Sequence, residues 1–434
     1  MLIFLLFLYV FTFFFSLKFL IKQLRLNGWT IFNYSFSYMI MFYTVVPVIS
    51  IMYFLLGFTF DNVAYILPNQ SDIELMFFTY LMIVLGIISF CLGNSKKIKF
   101  EFEFIKFKKI NATRISTFIV FIFCIFSIFS LIKYIQGFGS FENAVTKAGL
   151  VRSGTFKDIE DSDTSYTFFF RFIFLSFIPL LYYFYLNKGD RTLFVKLILV
   201  FSSIVMFILY GFLALSRQAI IDLFFMLFLS SLIKNNKVIN LRLLVFACLV
   251  FFILPVLDVF LDNNLERALE FKKETIVIIF NEFGFPFYSL MYSIQGEHGF
   301  YFFSDFIANL FGKFFPSSWN PGIEATNYLN SKYMIGEKIQ YVPPAVFAQG
   351  YYSLGVLGII IISYLTGLFF KFLDVLFRNM LIFNINFVVF YSYFIVNSLV
   401  WIRTGLPENY FYNIVFLSTL LFLSLSFKYK LRNI

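Results

Sequence analysis

The sequence predicts an all-α polytopic integral membrane protein with about eleven transmembrane helices, on three observations. Of its 434 residues 60% are hydrophobic and only 13% charged, where a soluble domain carries about a quarter charged residues. Apolar runs long enough to cross a bilayer, roughly 20 residues each, recur along the whole chain. The loops between them alternate in basic content without a break. Such a composition excludes a water-soluble enzyme with one ordinary core, a disordered chain and a disulfide scaffold.

The spans read as 2–20, 36–58, 74–93, 115–133, 166–187, 193–213, 219–233, 242–260, 353–372, 380–402 and 409–427. The seventh is the shortest. The first has no basic segment ahead of its apolar run, and no small-residue cleavage site follows, so it reads as an uncleaved span. The domain organisation that follows is a helical region over 1–260 with an outer loop at 134–165, a large outer loop over 261–352, and three final spans in 353–434.

Basic residues set the orientation. One set of loops holds Lys18, Lys22 and Arg25, the seven bases from Lys96 to Arg114, then Lys188, Arg191, Lys196, Lys234, Lys237, Arg242, Lys371 and Arg378, and the tail bases Lys428, Lys430 and Arg432. These loops carry only the acids Glu101, Glu103, Asp190 and Asp374. Positive residues mark the cytoplasmic side, which puts the amino terminus outside (periplasmic) and the carboxyl terminus in the cytoplasm. The net charge of +10 is therefore mainly topogenic, and no nucleic-acid partner is expected.

Any chemistry belongs to the outer face. The cytoplasmic loops have no Walker lysine loop, no G-x-G-x-x-G after a strand and no D-x-D pair, which argues against nucleotide chemistry there. Cys91, Cys124 and Cys248 are scattered in apolar runs without metal spacing, and the chain has one His. No metal site and no cofactor are expected. In the 261–352 loop, NEFGFPFYSLMYSI and YFFSDFIANLFGKFFP are apolar stretches too short or too interrupted to span. They read as helices at the interface or folded over the bundle, with SSWNPG and YVPP as turns. Gly355 and Gly358, at the start of the ninth span, read as residues of close helix packing.

An ionisable group inside a span costs roughly 2.5–3.5 kcal/mol on insertion scales. Arg171, Arg217, Asp222, Asp258 and Arg403 all fall near the outer boundary, which suggests an electropositive pocket open at headgroup depth. Snorkelling accounts equally well for any one of these arginines taken alone. Arg217, in the tight outer turn ALSRQAI, is the strongest site candidate, with Asp222 placed to orient it. A guanidinium holds phosphate oxygens in a bidentate fork and stays charged, so the anionic, membrane-anchored substrate that fits is a lipid-linked sugar diphosphate. Its diphosphate already leaves well, and catalysis then needs charge stabilisation plus a base for an acceptor hydroxyl. Glu282, His298 and Glu266 are the candidates for that base.

The segment VPPAVFAQGYYSLGVLGIIIISYLTGLFFKFLD (342–374) resembles the pre-span pattern of bacterial O-antigen polymerases of the Wzy type. SRQ (216–218) is similar to the SR-G element of these polymerases and of O-antigen ligases, and NEFGFPFYSL with SDFIANLFGKFFP is similar to the polymerases' large periplasmic loop. The resemblance covers most of the chain in layout and about a quarter in motif. It implies a GT-C-like membrane glycosyltransferase of the bacterial inner membrane, independent of metal and nucleotide. Such an enzyme moves a growing glycan from undecaprenyl diphosphate onto the next lipid-linked repeat unit, with membrane lipid and a chain-length regulator protein as candidate partners. By motif it implies functional arginines at Arg217 and Arg267, and by loop position at Arg152 and Arg403. Arg171, Lys272 and Lys273 join these as substrate-binding candidates. The chain departs from the pattern at Gln349, where many polymerases carry Glu; an amide cannot shuttle a proton and instead suits hydrogen bonds to sugar hydroxyls. Ligases carry a His-Asn pair near the place where this chain has Ala348-Gln349-Gly350, which disfavours that rival. A flippase or exporter of lipid-linked oligosaccharide, the rival from another class, predicts more spans, short loops on both sides and charges at mid-membrane.

Overall fold

In the computed structural model the amino-terminal helix α1 (Leu2–Asn27) presents Ile3, Phe4, Phe7, Phe11, Phe14 and Phe15 outward, all exposed. Apolar surface this continuous is stable only against lipid or another protein. Its one deeply buried face carries Leu5, Tyr9, Ser16 and Leu20. The described residues are 1–56, 73–96, 109–146, 173–176, 178–179, 182–183, 192–209, 213, 217–235, 283–296, 298–304, 325–335, 343–383 and 388–405. Among them the secondary structure is helical, without strands.

The helices after α1 are α2 (Ile31–Ile40), α3 (Val46–Leu55), α4 (Ile73–Ser95), α5 (Lys109–Gly137), α6 (Leu193–Ile208), α7 (Arg217–Lys234), α8 (Phe285–Gln295), α9 (Ala325–Ile335), α10 (Val346–Phe383) and α11 (Val388–Thr404). Five stretches are long and apolar enough to cross a membrane: Leu2–Asn27, Ile31–Met52, Ile73–Ser95, Thr117–Gly137 and Val346–Leu381. Leu193–Ile208 and Phe225–Lys234 are shorter apolar helices. The protein is thus a membrane-embedded helical protein. The expected spans 242–260 and 409–427 lie outside the described residues, and 166–187 falls within them only in part.

Several boundaries move. α1 runs to Asn27 and α2 starts at Ile31, so the first turn is far shorter than the span reading implies. Lys18, Lys22 and Arg25 are good helix formers that keep their charges at the helix surface, and Gly28 ends the helix at φ +63. Between α2 and α3 the helix widens into a π turn, Met41–Val45. The cause lies one turn on: Pro47 has no N–H, and its ring crowds the carbonyl four residues back, which the wider turn displaces. The helix of the ninth span runs on to Phe383, well past the expected 372, so the tenth begins at Val388 rather than 380.

The chain divides into two compact units. The first is Met1–Lys99, Asn264–Leu376 and Phe394–Asn413; the second is Phe100–Asn263, Phe377–Tyr393 and Ile414–Ile434. In the first, α4 and α10 cross on glycine. A side chain on Gly93 would meet the Tyr364 carbonyl, one on Gly367 the Phe90 carbonyl, and one on Gly86 the Phe347 ring. Small residues let two backbones approach this closely, a device suited to helix packing in lipid. In the second unit α5 packs on α6, with Cys124 donating to the Ile198 carbonyl (3.7 Å) and Phe121 on Phe194. Tyr134, Phe138, Ile173 and Leu209 belong to its apolar core. Cys91 and Cys124 are both free thiols.

Candidate functional site

The residues before the ninth span fold into a short buried helical arm. Pro343 and Pro344 hold the chain extended, and helix begins at Val346. It breaks at Leu354 (φ −152°, ψ 28°) and Gly355 (φ 59°, ψ −136°). The second of these conformations suits glycine alone. In an unbroken helix Gly350 and Gly358 would stand about 12 Å apart. Here a side chain on Gly358 would strike the Gly350 carbonyl, so the chain turns sharply and the arm 346–353 lies against the start of the long helix. Both glycines are read as packing residues from the sequence; Gly358 is one, and Gly355 is the break itself.

The broken end leaves carbonyls without helical donors. A strap, residues 298–304, supplies them: the Tyr301 amide donates to the Tyr352 carbonyl (3.0 Å) and the Phe302 amide to the Ser353 carbonyl (2.8 Å). Phe302 and Phe303 reach these positions with φ of 49° and 61°. Ser353 donates to the Gln349 carbonyl (2.8 Å). The arm is also held by a ring contact: Tyr43, on the π turn, stacks on Phe347 with centroids 4.3 Å apart.

Polar groups from two helices, α8 and α9, converge on the arm. Ser289 of α8 donates to Asn330 Oδ1 of α9 (2.8 Å), and the Ala345 amide donates to Ser289 Oγ (3.4 Å). Asn330 Nδ2 donates to the Pro343 carbonyl (3.4 Å), and Thr326 Oγ1 donates to Gln349 Oε1 (3.4 Å). Thr326 and Asn330 are four apart, hence on one face of α9. Gln349 is fully buried, and among the described residues its Nε2 has no partner; the Tyr352 hydroxyl is likewise buried without one among them. An unmet buried donor costs about 1–3 kcal/mol, a cost that a ligand acceptor would remove. On α8, burial holds the Tyr288 phenol well above the ordinary tyrosine range, opposed by its hydrogen bond with Ser50 (3.2 Å). It therefore stays a hydroxyl. Burial does the same at Tyr292.

Of the sequence-derived site residues, the structure places two at the arm and a third close in the chain to a glycine that packs against it. Gln349 sits inside it. The His298 ring lies 4.7 Å from that of Tyr352, on the arm. Arg403, half-buried, is in the last turn of α11, two residues before Gly405. At Gly405 (φ +64) a side chain would meet the Pro344 carbonyl and Gln349 Cβ. Arg217 opens α7, with its side chain outside the described part. Arg152, Arg171, Arg267, Lys272, Lys273 and Glu282 lie outside the described residues. Ser289, Thr326, Asn330 and Tyr352 are residues that sequence reasoning missed. The available signal was polar residues repeated at four-residue spacing, Ser289 with Ser293 in an apolar segment and Thr326 with Asn330 in a mixed one.

The described lining is made of amides and hydroxyls. It can donate to and accept from uncharged hydroxylated groups, and Gln349 can orient but not transfer a proton. No family model, curated protein or solved structure matches the chain.

Proposed function

We propose that the protein is a GT-C-like membrane glycosyltransferase, with eleven spans, that polymerises undecaprenyl-diphosphate-linked oligosaccharide repeat units into O-antigen or a related surface polysaccharide. It works at the periplasmic face of the bacterial inner membrane, with its amino terminus outside and its carboxyl terminus in the cytoplasm. The observation that carries the reading is the pre-span segment itself. A stretch that could have been a plain lead-in to a helix is a buried arm whose amide Nε2 awaits an acceptor.

In this reading a hydroxyl of the incoming lipid-linked unit attacks the anomeric carbon of the growing chain. The bond from that carbon to the diphosphate oxygen breaks, and undecaprenyl diphosphate leaves with the electron pair. The hydroxyl proton passes to a base, for which Glu282, His298 and Glu266 are the candidates. Arg217 and Arg267 neutralise the charge that grows on the diphosphate, aided by Arg152, Arg171, Arg403, Lys272 and Lys273. Gln349 holds sugar hydroxyls. No step requires metal or nucleotide.

Gene deletion, with gels of surface glycan and of lipid-linked intermediates, tests the reading. Core bearing a single repeat unit is the expected phenotype. Polymer accumulating on its undecaprenyl carrier would instead make the protein a ligase, and single units confined to the cytoplasmic face would make it a flippase.

A further inference from the structure

His298 carries more geometric information than a loop histidine requires. Its Nε2 stands 2.6 Å from the Ser293 carbonyl oxygen, in the last turns of α8, and its Nδ1 stands 3.1 Å from the carbonyl oxygen of Gly299. Both neighbours are acceptors, and a neutral ring has one N–H, so it donates to one of them at a time; the shorter contact, to Ser293, is the one that ties the loop back to α8. The ring packs on Tyr352 at 4.7 Å and edge-on to Tyr351 at 6.2 Å. Three residues later begins the pair of amides that closes the broken end of the arm, Tyr301 to Tyr352 and Phe302 to Ser353. Phe300, one residue before this pair, also reaches the break: a side chain on Gly355 would meet its ring at 3.2 Å.

We propose that His298 is a positioning residue, a clamp that joins the end of α8 to the arm 346–353 and so fixes Gln349 opposite Ser289, Thr326 and Asn330. α8 carries Ser289 and the arm carries Gln349, so the clamp sets the spacing of the two polar surfaces. This takes His298 out of the set of candidate bases. A base must have a nitrogen free to receive a proton from the acceptor hydroxyl, and both of its nitrogens are turned to main-chain oxygens.

The side chain's part in the clamp is the N–H donated to the Ser293 carbonyl, which holds the strap to α8; the strap's own amides at Tyr301 and Phe302 hold the arm, so a donor of the right reach suffices. The glutamine variant His298→Gln keeps such a donor and cannot titrate; His298→Ala removes it. The first experiment is amide hydrogen exchange on the purified full-length protein in detergent, which makes no reference to polymerisation. In H298A, exchange at Tyr301 and Phe302 should rise by about tenfold or more, while H298Q stays near wild type. Exchange in H298A equal to wild type would overturn the clamp. The second experiment, which rests on the polymerase reading, is glycan chain length in a deletion strain carrying each variant. H298A should shorten the glycan, and H298Q should restore most of the length with the wild-type dependence on pH. If H298Q shows native exchange yet loses polymerisation as fully as H298A, the imidazole is acting chemically and the proposal fails. If glycan length proves independent of the protein altogether, the polymerase reading falls while the exchange result still decides the clamp.

Discussion

The carboxylate of Asp374 accepts the backbone amide of Ile31 at 2.7 Å, across 343 positions of sequence, and that of Phe32 at 3.2 Å. These are the first two residues of α2, whose amide end bears the positive end of the helix dipole. Thr30 completes the cap by accepting from the Asn33 amide (3.0 Å). A helix start buried among spans has few other acceptors, so a carboxylate on α10 satisfies it. Truncation to Ala in D374A leaves two buried amides unmet and is expected to destabilise the protein by about 1–3 kcal/mol. D374N, with one acceptor oxygen left, should fall between it and wild type. Thermal unfolding of the purified protein checks the order.

Gly358 and Gly299 test the sharp turn at the base of the arm. A methyl group at Gly358 strikes the Gly350 carbonyl, whereas Gly299 has open space around it. G358A should cost about 1–3 kcal/mol through forced backbone shifts, and G299A should stay within about 0.5 kcal/mol of wild type. Equal unfolding temperatures for the two variants would remove the evidence for the folded arm.

Gln349→Leu separates stability from function. Leucine has similar bulk and removes the buried unpartnered Nε2, so Q349L should be as stable as wild type or more so by about 1 kcal/mol. Its glycan should nevertheless be shorter. Unfolding temperature and glycan gels on the same variant check both halves, and a variant that is destabilised but fully active would reverse the argument.

How much of this was legible in the sequence depends on the range of the contact that fixes it. α4 matches the expected 74–93 to within two residues, because hydropathy alone decides where a lipid-exposed helix runs. The start of α2 was half legible: Thr30 is a local cap signal, but Asp374, which takes the first two amides, lies 343 positions away and nothing local marks it. The arm was read as lead-in to a span, because VFAQGYYS has no composition that distinguishes it. Its fold depends on Gly355 and on backbone contact between Gly350 and Gly358. Gln349 stood out only by departing from a family pattern, while Ser289, Thr326 and Asn330 are too ordinary to be noticed before the helices that carry them converge.

Arginine geometry gives the sharpest functional test. R217A and R267A should leave protein abundance normal and shorten the glycan. If each arginine holds diphosphate through a fork, the loss is about tenfold to a hundredfold in rate. R217K should recover little of it, since an ammonium cannot reproduce the paired donors. Rates of chain extension in membranes, normalised to protein level, decide the matter; full recovery by lysine would reduce the contact to simple charge.

The most direct measurement is reconstitution. The purified protein is placed in vesicles with the lipid-linked repeat unit extracted from cells that lack the gene, in EDTA and without nucleotide. The account expects a ladder of extended glycans on undecaprenyl diphosphate, lost in R217A. Recovery of the single unit unchanged, or a ladder that forms only when nucleotide or metal is added, would contradict it.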